Sequence, residues 1–109
     1  MKAVIVDGIR TPFVRAGTAF RSLSAVELGR MAVRELMARS GLPGEAVDEI
    51  VFGTVVHDPH AGNIAREVGL DTLPPSVPAS TVSRACATAN QAIVAAANLI
   101  EVEDAEVVV

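Results

Sequence analysis

A chain of 109 residues in which half the residues are hydrophobic but only 3% are aromatic has room for one small domain, packed on aliphatic and alanine side chains rather than on rings. A net charge of −4 with no basic cluster gives no footprint for nucleic-acid binding. The single cysteine, Cys86, excludes an internal disulfide and points to a reducing compartment. The longest apolar run, 92–97, is far short of a membrane span. No signal or transit peptide precedes the strand-like run after Lys2, so the expected location is the cytoplasm. High hydrophobicity in so short a chain implies that some apolar surface meets another domain or subunit.

Residues 3–6 (Ala-Val-Ile-Val), closed by Asp7 and Gly8, form a continuous apolar run that suits a strand buried on both faces. A polar loop follows to Arg21; Arg10 and Arg15 read as solvated loop arginines, with anion binding as the alternative. Ser24 with Glu27 three positions on is a capping box. It opens a helix to about Arg39 whose apolar face is expected at Leu28, Met31, Ala32 and Leu36. Gly41 and Pro43 end that helix. After a short turn over 45–48, Ile50, Val51 and Phe52 read as a second buried strand, stopped by Gly53 and resumed through 54–56.

His57, Asp58, Pro59 and His60 form a loop. Two histidines three apart invite a metal site, but no cysteine lies near and Pro59 prevents a regular helical display, so no metal is expected. A short helix follows over 61–69, with Asn63 able to cap it. Residues 77–82 read as a short extended stretch, and 85–100 as one long alanine-rich helix, apolar all round and therefore packed on several sides. Residues 107–109 begin another buried strand. The order of strand and helix indicates a layered α/β fold, and the chain reads as an interrupted one.

Cys86 falls where strand turns into helix, within the expected first turn. Backbone N–H groups there have no partner in the helix, and the aligned peptide dipoles put partial positive charge at that end. Both favour a thiolate, the nucleophilic form of cysteine. The competing reading is a small buried hydrophobe among alanines. Asn90 and Gln91, one turn on, are expected to satisfy buried polar groups, with substrate contact as the alternative.

The stretch from Val6 to Phe13, then 52–55 and 63–67, and above all Ser83-Arg84-Ala85-Cys86-Ala87-Thr88-Ala89-Asn90-Gln91-Ala92, together resemble the thiolases, most nearly the 3-ketoacyl-CoA type found as the beta subunit of trifunctional complexes. The likeness spans the chain in the right order. Where other thiolases more often carry glycines after the cysteine, this chain has Ala87, Thr88 and Ala89. The resemblance implies a thiolase-like layered α/β fold, of which residues 1–109 are most of the first, N-terminal half. It implies an acyltransferase that cleaves 3-ketoacyl-CoA to acetyl-CoA and a shortened acyl-CoA, or runs the reverse condensation, through an acyl thioester on Cys86. The Cys86 backbone N–H would be one oxyanion donor.

Coenzyme A would be a substrate, with no further cofactor. A homodimer or dimer of dimers is implied, with a hydratase/dehydrogenase alpha subunit as a further possible partner. Asn63 and Arg66 would fall in the subunit-interface region. The family's activating histidine and second cysteine have no counterpart here, and His57 and His60 lie outside its catalytic motifs. The 109 residues alone are therefore expected to be inactive. Competing readings are a ketoacyl synthase-like condensing enzyme of the same fold, a non-catalytic truncated subunit or interaction module, and a thiol-based redox protein. The last is disfavoured by the lack of a second cysteine for a disulfide cycle.

Overall fold

The computed structural model describes residues 2–109. Five regular elements run α1 (Ala25–Ser40), β1 (Ile50–Gly53), α2 (Ile64–Thr72), β2 (Ala79–Val82) and α3 (Thr88–Glu101). Short 3-10 turns at Gly44–Ala46 and Ala85–Ala87 precede β1 and α3. β1 and β2 pair in parallel, Ile50 beside Ala79 through Gly53 beside Val82. On the opposite edge of β1, Val51 N–H donates to Val109 O (2.8 Å) and Val109 N–H to Glu49 O (3.0 Å). The C-terminal residues thus form the expected further strand only as one parallel bridge, Glu49 to Val108. Asp48 anchors it: its Oδ2 accepts from the N–H of Glu106 (2.7 Å) and of Val107 (3.0 Å).

Successive side chains of a strand point to opposite faces, and β1 uses both. Ile50 packs against α2 at Gly69, and Phe52 against Gly29 of α1. Val51 shares a cleft with Ala95 and Leu99 of α3, and Gly53 lies against Thr88. The result is the layered α/β arrangement read from the sequence, with α1 and α2 on one face and α3 on the other. The core comprises Val33, Met37, Val47, Ile50, Ile64, Ala65, Val68, Leu73 and Val77. Among the described residues no helix is long and apolar enough to cross a membrane.

Local signals placed α1 well. Ser24 accepts from Glu27 N–H (3.1 Å), Glu27 Oε2 accepts from Ser24 N–H (2.6 Å), and Gly41 takes the left-handed conformation at φ 68° with its N–H on Met37 O. Its buried stripe is shifted from expectation. Gly29, Val33 and Met37 are buried, whereas Leu28, Ala32 and Leu36 are half-covered and Met31 is exposed. The cause is Gly29, whose missing side chain lets α1 settle directly on Val68 of α2. Outside that contact, Arg34 pairs with Asp71 (2.7 Å) and Arg30 donates to Glu67 O, surface links that water largely screens.

Three expectations fail. Residues 3–6 form no strand, and Val4, Ile5 and Val6 lie exposed. An apolar run becomes a strand only when another strand takes its backbone groups, and both edges of β1 are already filled. The ladder of β1 ends after Thr54, which donates to Val82 O (3.1 Å). Thr54 Oγ1 then bonds Val56 O (3.2 Å), bending the chain and leaving Val55 and Val56 exposed. Finally, α3 is not buried all round: Ile93 and Val94 are half exposed, and Thr88 is its one buried residue.

The α1–α2 contact gives a signed prediction. In a free helix Gly29→Ala would gain about 1 kcal/mol of propensity. Here the new Cβ would stand 2.7 Å from Val68 Cγ2 and 3.1 Å from Phe52 Cζ, and overpacking costs typically about 1–3 kcal/mol. Net destabilisation of about 1 kcal/mol is expected by urea unfolding, with Gly62→Ala, which meets nothing within 4 Å, as the near-neutral control.

Acid sensitivity follows from carboxyls held below the ordinary range, three of them on or beside the regular elements. Asp48 is lowered by the Val107 and Glu106 N–H groups, Glu27 by the Ser24 cap, and Asp71 by Arg34. A carboxyl depressed in the fold adds stability above its unfolded pKa, about 4, which is lost as pH falls through the folded value. Tm should hold near neutrality and drop below about pH 4. Asp48→Asn should lower Tm at pH 7 and shrink the acid-induced drop, both read by thermal melts across pH.

Candidate functional site

The loop after β2 carries Cys86, and its thiol is exposed. Four residues beyond Val82, it sits at the C-terminal end of the parallel strands, where open α/β sheets bind ligands. The sequence places the helix start at Ala85; the structure interrupts it. Ala85 takes a left-handed conformation at φ 46°, unusual for a residue with a Cβ. Ala85–Ala87 form a 3-10 turn, and α3 proper begins at Thr88 with no side chain capping it. Cys86 is therefore carried on a tight turn running into a helix.

That turn is tied by Thr88. Its Oγ1 accepts from Arg84 N–H (2.8 Å) and donates to Ala85 O (2.6 Å). The Thr88 N–H also reaches Ala85 O, and Ala87 N–H donates to Arg84 O. None of the hydrogen bonds of the described residues uses the Cys86 N–H, which stays available at the helix end. The Cys86 Sγ makes none either. Beneath the turn lies Gly53, at the end of β1. A Cβ on Gly53 would fall well inside 3.0 Å of Thr88 Cγ2, so the threonine seats only because the strand ends in glycine.

Gln91 is half-buried and accepts from Arg84 (2.7 Å), bracing the loop, while Asn90 is exposed. Neither satisfies a buried polar group as expected: Gln91 serves the exposed Arg84, and Asn90 is itself exposed. His57 and His60 are exposed and no hydrogen bond among the described residues joins either to Cys86; His60 instead bonds Asp58 through both its N–H (2.9 Å) and its ring (3.2 Å). Those bonds, the backbone one foremost, hold the Asp58 carboxyl below its usual range. Among the described residues no group of three or more His, Cys, Asp or Glu is placed to hold a metal ion. Arg10 stacks on Phe13 (4.3 Å), both exposed, as solvated loop residues.

Asn63 caps α2, as expected, and does more. Its Oδ1 accepts from Arg66 N–H (3.2 Å) and Thr81 Oγ1 (2.6 Å), and its Nδ2 donates to Ala79 O (3.0 Å). Arg66 reaches Pro75 O and Val77 O. These side chains lock β2, and hence the approach to Cys86, onto the start of α2. Sequence reasoning missed Thr88, Gly53 and Arg84. The available signal was a threonine two positions past the cysteine at a helix start, where Ser and Thr hydroxyls bond local backbone groups.

Against known families, residues 3–109 match the model described as "Thiolase, N-terminal domain". The chain belongs to the thiolase family. A thiolase nucleophile segment is what the resemblance at 83–92 implied. Among curated relatives, a 3-ketoacyl-CoA thiolase of Escherichia coli (strain 55989 / EAEC) is 53% identical over 93 residues, 84% of this chain and 21% of the relative. Another, from E. coli O157:H7 (strain EC4115 / EHEC), is 50% identical over 101 residues, 92% of this chain and 22% of the relative. The chain thus spans about a fifth of the length of these thiolases.

Solved thiolases agree in fold. The human mitochondrial 3-ketoacyl-CoA thiolase, in complex with CoA, superposes with a TM-score of 0.86 at 34% identity, over 91% of this chain and 26% of that one. The Bacillus anthracis acetyl-CoA acetyltransferase superposes with a TM-score of 0.80 at 32% identity, over 84% of this chain and 24% of that one.

Proposed function

We propose that this thiolase chain supplies the nucleophile of an acetyl-CoA C-acyltransferase, with Cys86 as the residue that carries the acyl group. The observation that carries the reading is the exposed Cys86 thiol on a tight turn at the strand ends, beside its own unpartnered N–H. The Cys86 sulfur, as thiolate, adds to the 3-keto carbon of a 3-ketoacyl-CoA. The Cys86 N–H donates to the oxyanion that forms, a contact that strengthens as charge develops there. The C2–C3 bond breaks; its electron pair leaves on C2 as the enolate of acetyl-CoA, which an acid protonates. The shortened acyl group remains as a thioester on Cys86. The thiolate of a second CoA attacks that carbonyl, the bond to Cys86 breaks, and acyl-CoA leaves with the cysteine restored.

Splitting the reaction at the acyl-enzyme replaces one hard step by two easier ones. The second step exchanges one thioester for another and runs near balance, while the first trades the C2–C3 bond for a thioester, and each step has a direct reverse for condensation. CoA takes part as a substrate, not as a resident cofactor. The acid and the base are assigned to groups outside these residues: His60 is bonded to Asp58, and no hydrogen bond among the described residues joins His57 or His60 to Cys86. The proposed setting is fatty-acid degradation in the cytoplasm, in a homodimer or dimer of dimers, with a hydratase/dehydrogenase subunit as a further partner. The relatives named 3-ketoacyl-CoA thiolase support the substrate class.

The test is mutation of Cys86 in the full natural chain. Cys86→Ala and Cys86→Ser should lower thiolysis by about three orders of magnitude or more, as loss of a covalent nucleophile does. Mass spectrometry should find the acyl group on the Cys86 peptide of the wild type and on neither variant. Normal thiolysis by Cys86→Ala sinks the proposal.

A further inference from the structure

Thr88 is the one polar residue that the described fold buries, 4% exposed, and none of its polar atoms is spent on a distant element. Its hydroxyl spans the two residues before Cys86, taking the Arg84 N–H and giving its proton to Ala85 O. Its methyl rests where Gly53 has no side chain. We infer that Gly53 and Thr88 form a seat whose task is to position the Cys86 thiol, a role that rests on the reading of Cys86 as the nucleophile.

Ala85 precedes Cys86 directly and sits at φ 46°, a conformation costly for any residue with a Cβ. Rotation of Ala85 back to an ordinary φ swings the Cys86 Cα and thiol. The hydroxyl bridge opposes that rotation, beside the backbone bonds from Ala87 N–H to Arg84 O and from Thr88 N–H to Ala85 O, by fixing Arg84 and Ala85 relative to the start of α3. The bridge in turn holds its place only if Thr88 sits at its present depth against β1. A Cβ on residue 53 would collide with the Thr88 methyl, but would stand 3.5 Å and 3.6 Å from the Thr88 carbonyl oxygen and carbon, ordinary contacts. The collision is with the methyl alone. A serine at 88 would keep the hydroxyl and leave room for an alanine at 53.

The experiment compares Thr88→Val, Thr88→Ser, Gly53→Ala and the double variant Gly53→Ala/Thr88→Ser in the full natural chain. It reads kcat per burst-titrated site, KM, and the rate at which iodoacetamide modifies Cys86. Thr88→Val keeps the methyl and removes the bridge; it should cut kcat about 10–100-fold with KM within about threefold, the size expected for a misplaced reacting group. Thr88→Ser should stay within about threefold of wild type, and Gly53→Ala should resemble Thr88→Val. The double variant should return to the Thr88→Ser level, and the alkylation rate should change and recover in parallel.

Simple loss of stability lowers the number of active sites but not kcat per titrated site, so this readout separates positioning from folding. If Thr88→Val fails to fold, Gly53→Ala and its rescue by Thr88→Ser carry the test. Wild-type kcat and alkylation in Thr88→Val, or a double variant no better than Gly53→Ala, overturns the inference. Cys86→Ala run alongside distinguishes the two failures: active, it removes the nucleophile reading itself; inactive beside an undisturbed Thr88→Val, it removes only the seat.

Discussion

Filling both edges and both faces of one four-residue strand is the constraint on which this fold depends. β1 gives one edge to β2 and the other to residues 107–109. One face goes to α1 and α2, the other to α3. Ile50, at 1% exposed, is sealed under α2, and burial of a side chain that size contributes about 1.5–3 kcal/mol. The far end of the strand is the opposite case. Gly53 contributes no side chain, and the hole it leaves fixes where α3 comes down. The position of Cys86 is therefore a consequence of how β1 ends as much as of the cysteine's own neighbourhood.

Around the thiol the side chains are small. Ala85, Ala87 and Ala89 are exposed and offer no bulk to block an approach to Cys86. Rigidity in such a segment cannot come from packing, since alanines at a surface bury little area. It comes instead from hydrogen bonds and from strand ends: the Thr88 bridge, the Arg84–Gln91 link, and the Asn63 lock on β2. Accessibility of the sulfur and fixity of the backbone are thus supplied by different groups. That division leaves the Cys86 segment open to solvent without leaving its backbone loose.

Elements with a chemical signature at their ends were legible in the sequence. Ser24 with Glu27, Gly41 and Asn63 marked α1 and α2 because capping is local and each residue declares its own hydrogen bond. β1 was legible as a short apolar run, Ile50 to Phe52, stopped by Gly53. Residues 3–6 misled because apolar composition gives the tendency to pair and not the partner. The stripe of α1 misled because periodicity marks an apolar side of a helix, whereas Gly29 chooses which part of that side touches α2. Cys86 itself was found from its place between strand and helix and from the likeness of 83–92 to a family. The break at Ala85 was invisible, since alanine favours helix and nothing in its own side chain announces a left-handed turn.

That alanine is itself informative. A left-handed residue is usually glycine, for which the conformation carries no steric cost. Alanine there costs about 1–2 kcal/mol, and the fold offsets it with hydrogen bonds from the Thr88 hydroxyl worth about 0.5–1.5 kcal/mol each. The two terms nearly cancel, so the turn is neither a source of stability nor a serious drain on it. What differs from a glycine turn is breadth. Glycine reaches the same φ among many others, whereas a strained alanine held by a bridge has one arrangement with the bridge made and a distinct, lower-strain arrangement with it broken. In the role proposed for Cys86, meeting a carbonyl carbon at a fixed angle, the narrower well is the advantage, even when the mean free energy of the turn is the same.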